Sequence, residues 1–466
     1  MTSYFFYDLE TSGLSPKSDR IMQFAGQRTD LQFKPIDAPF DIRIKLPKDC
    51  LPNIDALLLT GLSPLQEGLT ELEFLKIFNA KINTSDTIFV GYNNLRFDDE
   101  FIRYLNYRNF YDPYKWHWDN NNSRWDIIDV VRMARALRPT DLKWPVDNQG
   151  KSVNKLEALT KLNNLHHPNS HDALSDVLAT IEVAKLIQSR CPKLFNYLKD
   201  LRSKKKIMQF LDHNKIFVYT SSHYPSQYLN TALVALVDLK VQEPSSALVY
   251  DLRYDPYRYS SRSPDQLAEL WHYDQTQKRV LLPFKIIKLN RCPMLAPLNT
   301  LDQASLKRLS INKNEHLDNY KKLVEVLPEL LLKIQKSREL LDIQKNQKAS
   351  PKIINENLYD GFDSYSDQQK KLLINANPFV KVRFTKPSLN ELYALFLKYN
   401  FDIKLTKNQE KIWKDHLKTK LFTKINGYSV YDNFLKDLQA RGMHNNKILK
   451  DLKEYSQLIL NEYESC

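Results

Sequence analysis

The stretch FYDLETSG, residues 6–13, decides the fold of the first part of the chain. It reads as an apolar strand that carries two carboxylates, Asp8 and Glu10, just before a turn, although acidic residues are depleted in strands. Because side chains alternate between the two faces of a strand, Asp8 and Glu10 point the same way, about 7 Å apart. Two like charges on one face repel unless a cation lies between them. The pair therefore indicates a metal site whose other ligands come from elsewhere in the chain.

Residues 1–182 mix predicted strands with predicted helices. The strands are YFFYDL, IMQFAGQRTD, IRIKLP and TIFVGYN. The helices are LTELEFLKIFNAKI, FDDEFIRYLNYR, SRWDIIDVVRMARAL, KLEALTKLNN and HDALSDVLATIEVAKLIQSR, where apolar residues recur at helical spacing. This mixture, with acids at strand ends, is typical of a central sheet covered by helices.

The rest of the chain changes character twice. From 215 to about 292, the short segments KIFVYTSS, TALVALVDL, SALVYDLRY and KRVLLPFKIIKLNRCP predict a small antiparallel barrel or sheet. From about 300 onward helices predominate, interrupted by the polar connector QKNQKASPKIINEN near 343–357. The last hundred residues read as all-helical.

Length and composition favour a multidomain globular protein. A chain of 466 residues is long enough for roughly two to four domains. It contains no run of about 18 apolar residues and no signal-peptide pattern, so we expect no transmembrane helix. The four cysteines are too scattered for a zinc motif or a disulfide framework, which favours a reduced, cytoplasmic protein.

The net charge of +13 is unevenly distributed. Residues 1–182 hold 21 Lys and Arg against 25 Asp and Glu, whereas residues 183–466 hold 47 against 30. An acidic first part thus precedes a strongly basic remainder. A basic surface favours a polyanion, most often nucleic acid, although a lysine-rich surface that serves only solubility is the alternative.

Two later segments offer partners for Asp8 and Glu10. Asp98, in NNLRFDDE, follows a predicted strand at the start of a helix, where a carboxylate is favourable. His171 and Asp176, in HDALSDVLAT, converge on one point only if His171 lies in the loop before the helix. Four carboxylates and a histidine suit two-metal phosphoryl chemistry, because Mg²⁺ and Mn²⁺ prefer carboxylate oxygen and histidine accepts a proton near neutral pH.

Each of these residues alone has a simpler interpretation. An Asp-x-Glu pair at a strand end is more often solvated, Asp98 alone suits a helix N-cap, and His171 alone is more often a surface residue. Neighbouring residues are interpreted as structural or incidental (His117, His166 and His167) or as solvated helix faces or caps (Asp99, Glu100, Asp126 and Asp129). Order and spacing together indicate a site.

The candidate residues form three motifs in a fixed order. The motifs are Asp8-x-Glu10 with Thr11 and Gly13, Asn93-x-x-x-Phe97-Asp98, and His171-x4-Asp176. They resemble the exonuclease motifs of the DEDDh 3′→5′ exonucleases, a group that includes proofreading domains, RNase T and oligoribonuclease. GYNNLRFDDE, YRNFYDPYKWHWDNNNSRWD, ALRP and HDALSDVLATI are similar to the bacterial exodeoxyribonuclease I family. PFKIIKLNRCPMLAP, NTL and LYDGF extend this resemblance over essentially the whole chain.

The resemblance implies three domains that form a C-shaped clamp around single-stranded DNA. They are an α/β RNase H-like exonuclease domain (1–190), an SH3-like β-rich domain with appended helices (191–343) and an all-helical C-terminal domain (344–466). It further implies processive 3′→5′ degradation of single-stranded DNA to 5′-mononucleotides, with a role in DNA repair or recombination. Enclosure of the strand is a physical reason for processivity.

The resemblance also implies roles for individual residues. Asp8, Glu10, Asp98 and Asp176 bind two Mg²⁺ ions, with Mn²⁺ as an alternative, His171 acts as general base, and Glu10 also touches the terminal 3′-hydroxyl. The candidates for contact with the strand are Arg103, Tyr114, Trp118, Arg132, Lys155, Lys204, Lys215 and Lys285. Lys155 stands where the family has arginine, so it lacks the bidentate fork. The alternative for Tyr114, Trp116 and Trp118 is packing beneath the catalytic domain.

Partners and rival functions complete the expectations. Relatives dock the acidic C-terminal tail of single-stranded DNA-binding protein on a basic pocket, and Arg138 and Tyr197 match that pocket. Asp302 stands where a basic residue is expected, which weakens the interaction. The family implies a monomer. Two rivals remain, an RNA 3′→5′ exonuclease with the same catalytic set and a single-strand-binding module whose nuclease site is idle.

Overall fold

The computed structural model describes residues 2–239, 245–271, 282–347, 353–442 and 446–465. The chain forms two compact units. The first comprises Met1–Ser123, His167–Ile181 and Pro351–Cys466, and the second comprises Arg124–His166 and Glu182–Ser350. No helix among the described residues is long and apolar enough to cross a membrane.

The described part of the chain contains β-strands in both units. They are β1 Ser3–Thr11, β2 Ile21–Thr29, β3 Phe40–Arg43, β4 Thr87–Gly91, β5 Ser123–Asp126, β6 Ile216–Thr220, β7 Thr231–Asp238, β8 Ser246–Asp251, β9 Phe284–Lys288 and β10 Met294–Pro297.

The described α-helices include long helices at the centre and end of the chain. They are α1 Ile54–Thr60, α2 Glu71–Ile77, α3 Asp98–Arg108, α4 Ile127–Leu137, α5 Leu156–Leu162, α6 Ala173–Arg190, α7 Pro192–Asp200, α8 Lys204–His213, α9 Tyr257–Ser260, α10 Pro264–Glu269, α11 Gln303–Arg308, α12 Lys313–Gln347, α13 Tyr365–Ala376, α14 Pro387–Asn400, α15 Lys407–Leu417, α16 Val430–Ala440 and α17 Lys447–Ser465.

Strands β1 to β4 form the sheet of the first unit, in the order β3-β2-β1-β4. Strand β1 is antiparallel to β2 and parallel to β4, and β2 is antiparallel to β3. The alternation expected for β1 is present, because Tyr7 and Leu9 are buried in an apolar core with Phe24, whereas Asp8 and Glu10 are only half-buried. The two carboxylates therefore share the face of the sheet opposite this core.

The C-terminal helices belong to the first unit and share a core with its N-terminal part. Met22 and Leu57 are fully buried together with Trp413, Leu417 and Ile459. The last hundred described residues are helical, apart from their connections, as the sequence predicts. The sheet that carries the carboxylates is thus packed against the end of the chain.

The second unit contains a five-stranded sheet in the order β10-β6-β7-β8-β9, with every neighbouring pair antiparallel. This confirms the antiparallel β-rich segment predicted between 215 and about 292. Residues 272–281, which include the start of the predicted KRVLLPFK segment, lie outside the described residues.

Three predicted elements differ from the structure. Residues 123–126 of the predicted helix SRWDIIDVVRMARAL form β5, and the helix begins only at Ile127, because Asp126 caps it by accepting the N–H of Ile128. The predicted strand IRIKLP is shorter, since β3 ends at Arg43 and Ile44 forms only an isolated bridge to Leu69. Helix α12 continues to Gln347, so the predicted connector at 343 and the proposed boundary at 343/344 fall inside a helix.

Candidate active site

Strand β1 delivers Asp8 and Glu10 to its C-terminal end and then turns sharply. The pairing register of β1 with β2 shifts between Glu10 and Thr11, which is a bulge that bends the strand. The hydroxyl Oγ1 of Thr11 donates to the carbonyl of Gly13 at 2.7 Å. A Cβ at Gly13 would lie 2.5 Å from the Asp19 carboxylate, so a larger residue here would displace the Asp19 side chain. The backbone thus leaves the sheet immediately after the second carboxylate.

The loop after β4 places Asp98 as the first residue of α3. Asn93 has φ of 75°, and its carbonyl accepts the N–H groups of Arg96 and Phe97 at 3.2 Å each. Phe97 occupies the N-cap position and makes no side-chain cap bond. Asp98 is therefore not an N-cap, which removes its simpler interpretation. Its buried carboxylate lies in the first turn, where the positive end of the helix dipole favours a negative charge.

His171 lies in the turn before α6, which begins at Ala173. This fulfils the condition under which His171 and Asp176 converge. The exposed His171 has φ of 66°, a left-handed conformation in which histidine is enriched. Its backbone hydrogen-bonds the Asp176 carboxylate. The turn thus folds back over the first helical turn and brings the imidazole close enough to Asp176 to interact electrostatically with its carboxylate.

The carboxylates of Asp8, Glu10 and Asp176 form a group that can hold a metal ion. Their ligand oxygens all lie within 4.8 Å of one another. Asp98 is outside this group, but its negative charge helps to raise the pKa of both Asp8 and Glu10. The structure therefore brings together the four predicted metal ligands, three of them tightly.

The electrostatics of this group fit a divalent cation. Burial, together with the neighbouring carboxylates, raises the pKa of Asp8 well above its usual range and that of Glu10 to about 8. Burial also raises the pKa of Asp176, against the opposing effect of His167. A set of oxygen donors that repel one another in this way suits a hard divalent cation, whose charge relieves the repulsion.

Two residues near the group were missed by sequence reasoning. His167, interpreted as structural or incidental, has its Nε2 2.5 Å from Oδ1 of Asp176. Asp172 accepts the N–H of Ser175 at 3.0 Å and adds negative charge beside Asp8 and Glu10. The only sequence signal for these two residues was their proximity to His171. Asp172 directly follows His171, and His167 lies four residues before it.

Two acidic residues predicted to be solvated or to cap helices are buried instead. Asp99 is fully buried and accepts a hydrogen bond from the hydroxyl of Tyr7. Asp129 is also buried, and its Oδ1 accepts from Arg132 Nη1 at 2.6 Å. Both predictions are wrong, because Asp99 is satisfied by the distant Tyr7 and Asp129 by Arg132 one turn further along the same helix. Asp126 does cap a helix, as the alternative had it.

The strand-contact candidates of the first unit differ in accessibility. Arg103 is buried, pairs with Glu100, and has its guanidinium 5.2 Å from the ring centre of the half-buried Tyr114. Trp118 is 59% exposed, whereas Trp116 is packed in the core. Trp116 is therefore a core residue, as the alternative interpretation had it. The exposed ring of Trp118 is accessible for stacking against a base.

The other candidates lie in the second unit. The guanidinium of Arg132 pairs with Asp129, and burial lowers the pKa of Lys285 on β9, against the nearby Asp251. The remaining three lysines are exposed: Lys155 is 3.8 Å from Glu157, Lys204 donates to Ser245 at 2.6 Å, and Lys215 precedes β6. Their roles stay a prediction.

The fold and the site together define an RNase H-like exonuclease with a group of carboxylates that can hold a metal ion. Residues 5–184 match a family model described as exonuclease, residues 202–337 match the exonuclease I SH3-like domain, and residues 352–459 match the exonuclease I C-terminal domain. These ranges fall inside the three predicted segments. The chain belongs to the exonuclease I family.

Named relatives support this assignment. Exodeoxyribonuclease I of Haemophilus influenzae is 35% identical over 90% of both chains, and exodeoxyribonuclease I of Escherichia coli is 34% identical over 98% of both. Among solved structures, E. coli exonuclease I in complex with a dA16 oligonucleotide has a TM-score of 0.88 and 32% identity, covering 98% of this chain and 100% of that chain. Exonuclease I of Methylocaldum szegediense has a TM-score of 0.89 and 33% identity, covering 99% and 100%. The family and fold predictions are confirmed.

Proposed function

We propose that this protein is a divalent-metal-dependent 3′→5′ exodeoxyribonuclease that shortens single-stranded DNA and releases 5′-mononucleotides. The observation that carries the proposal is the convergence of Asp8, Glu10 and Asp176 within 4.8 Å in a chain that matches all three exonuclease I domain models. DNA is favoured over RNA by the named relatives, and by complexes of E. coli exonuclease I with DNA oligonucleotides. The proposed role is DNA repair or recombination.

The metal ligands are Asp8, Glu10, Asp98 and Asp176, and the proposed ions are two Mg²⁺, with Mn²⁺ as an alternative. When bound, such ions supply positive charge against the attacking and leaving oxygens of a phosphodiester. The ligands come from β1, α3 and α6, so their separation depends on how these elements are held together. A crystal structure of E. coli exonuclease I in a zinc-bound form supports a divalent metal in the family.

His171 is the proposed general base. Its exposed position on the turn before α6, beside Asp176, suits contact with a water at the carboxylate group. A neutral imidazole accepts the proton of that water as it attacks the last phosphodiester. Glu10, at the end of β1, is also the proposed contact for the terminal 3′-hydroxyl.

The proposed path of the strand combines the basic remainder of the chain with contact residues between 103 and 155. Residues 183–466 hold 47 Lys and Arg against 30 Asp and Glu, which favours phosphate contacts. Exposed Lys155, Lys204 and Lys215 suit such contacts, and Trp118 suits base stacking. The other proposed contacts already interact with neighbouring side chains of the protein. They are Arg103, Tyr114, Arg132 and Lys285.

The first experiment uses 5′-labelled single-stranded oligonucleotides of DNA and RNA, incubated with Mg²⁺, with Mn²⁺ or with EDTA. We expect metal-dependent shortening of DNA from the 3′ end, with RNA largely spared. The Asp8→Asn variant should bind DNA without cleaving it. RNA shortened as fast as DNA would favour the RNA exonuclease, and binding of DNA without any shortening by the parent would mean an idle nuclease site.

A weak interaction with the acidic C-terminal tail of single-stranded DNA-binding protein is also proposed. Arg138 is exposed at the end of α4, but Asp302 adds a negative charge beside Arg138 and Arg308 while it caps α11. The carboxylate of Asp302 therefore competes with an acidic tail for the positive charge of Arg138 and Arg308. Absence of binding to such a tail peptide at low salt would refute the interaction. A monomeric, cytoplasmic state remains a proposal that rests on the family and the scattered cysteines.

A further inference from the structure

Arg43 shares a row of side chains with the metal ligand Glu10. The sheet pairs Glu10 with Gln23 and Gln23 with Arg43, and residues paired across neighbouring strands point to the same face. Because adjacent strands are about 4.8 Å apart, the Cα of Arg43 lies about 10 Å from the Cα of Glu10. A long arginine side chain on this face can therefore reach the edge of the carboxylate group.

The guanidinium of Arg43 has no partner among the described residues. The side chain is half-buried, its Nη1 is buried without a hydrogen-bond acceptor, and no carboxylate in the described ranges lies within 4 Å of it. By contrast, Arg28 on the same sheet donates to Ser3, Thr87 and the carbonyl of Ile82. A guanidinium nitrogen without an acceptor inside the chain can donate to an acceptor from outside it, such as an anion.

The positive charge of Arg43 indicates that this acceptor is an anion. The guanidinium lies close enough to Glu10 to interact electrostatically with its carboxylate, in keeping with their positions in one row of the sheet. A fixed positive charge beside a cation site opposes cation binding. Its presence is favourable when an anion lies between the arginine and the metal ions, as a substrate phosphate would.

We propose that Arg43 is a substrate-binding residue that holds the scissile phosphate of the 3′-terminal nucleotide. This inference rests on the proposed function and adds a residue to it. A guanidinium offers paired N–H donors that match phosphate oxygens, and it stays charged at every working pH. The phosphate would thus be held between the carboxylate-bound ions on one side and Arg43 on the other.

Metal binding without DNA separates this role from a purely structural one. The Arg43→Gln variant removes the repulsion, so Mn²⁺ binding followed by electron paramagnetic resonance should tighten about two- to tenfold. If Arg43 only supported the position of Glu10, the same variant would bind Mn²⁺ more weakly, and that result would overturn the proposal. The matched control is Lys45→Gln, which removes an exposed positive charge two residues away that interacts electrostatically with Glu73. It should leave Mn²⁺ affinity unchanged.

DNA binding in EDTA, where no cleavage occurs, identifies the acceptor. Single-stranded DNA should bind Arg43→Gln about tenfold more weakly than the parent, with Arg43→Lys in between. Replacing the last phosphodiester by a neutral methylphosphonate should weaken binding to the parent about tenfold but to Arg43→Gln less than twofold. Equal effects in both proteins, or coupling only to the next phosphodiester, would overturn the assignment. Because these are binding measurements, they remain decisive even if the parent cleaves no DNA, a result that would refute the proposed function separately.

Discussion

The carboxylate Oδ2 of Asp49 lies 2.9 Å from the ammonium Nζ of Lys420, 371 residues further along the chain. The same oxygen accepts from the Tyr399 hydroxyl and is within 2.9 Å of the His416 imidazole, and the carboxylate also pairs with Arg20. Asp49 is completely buried. One buried anion from the N-terminal part is thus satisfied largely by the C-terminal helices, and it ties the two ends of the first unit together.

Replacement of Asp49 by Asn should strongly destabilise the protein. The change leaves buried cations without their anion, which typically costs about 3–5 kcal/mol. The free energy of unfolding from urea titration is the measurement. Asp55→Asn serves as the control, since Asp55 forms an exposed ion pair with Arg441. Equal destabilisation by the two substitutions would contradict a special role for the buried anion.

The same group should make stability sensitive to acid. Burial lowers the pKa of His416, so as the pH falls the imidazole is protonated in the unfolded chain before it is protonated in the folded protein. The free energy of unfolding therefore decreases as the pH drops below about 6.5. Burial alone would raise the pKa of Asp49, but Lys420 and Arg20 hold it well below its usual range. Its contribution is present above about pH 4 and is lost at lower pH.

The measurement for this prediction is the difference in unfolding free energy between parent and variant across pH. The advantage of the parent over His416→Gln should shrink as the pH falls below about 6.5. Its advantage over Asp49→Asn should shrink only below about pH 4. A difference that stays constant from pH 8 to pH 3 would show that neither group titrates as expected.

Removal of divalent metal should destabilise the protein more at alkaline pH than at acidic pH. The pKa of Glu10 is raised to about 8, so the metal-free folded state holds a proton that the unfolded state has already lost. Stability of the metal-free protein therefore falls as the pH rises towards 8. We expect Mg²⁺ to raise the thermal midpoint more at pH 8.5 than at pH 6, and the Glu10→Gln variant to show a smaller pH dependence. A Mg²⁺ effect independent of pH would argue against proton displacement at this site.

The hydroxyl of Tyr7 should help to position the metal ligands. It donates to Asp99, which follows the proposed ligand Asp98, while Tyr7 itself precedes the proposed ligand Asp8. The Tyr7→Phe variant should need about tenfold or more Mg²⁺ for half-maximal cleavage, the usual effect of losing an outer-shell hydrogen bond. Its Mn²⁺ affinity without DNA should fall in parallel.

The matched control is Tyr107→Phe, in the same helix. The Tyr107 hydroxyl donates to the carbonyl of Ile354 at 3.2 Å, at the far end of α3 from Asp98. This variant should lose stability without a change in metal requirement. If both variants shifted the Mg²⁺ requirement alike, the effect would reflect loosening of α3 and not the contact between Tyr7 and Asp99.

The sequence was sufficient for features that depend on local periodicity. The two-residue period of β1 predicted that Asp8 and Glu10 share a face, and the structure agrees because strand alternation is a backbone property. The helical periodicity likewise predicted α3 and α6. The ordered motifs then indicated the family, since their spacing reports which strands and helices meet.

Tertiary structure decided what depends on residues far apart in the chain. Asp99 looks like a solvated helix residue, yet it is buried against Tyr7, a partner 92 residues away that spacing does not reveal. The approach of His167 to Asp176, and of Arg43 to Glu10, depends likewise on loop geometry and on pairing across strands. By itself the sequence determined most of the strands and helices and the order of the carboxylates along them. Only the folded chain decided which charges are buried together, because desolvation and Coulomb interactions act through space and not along the sequence.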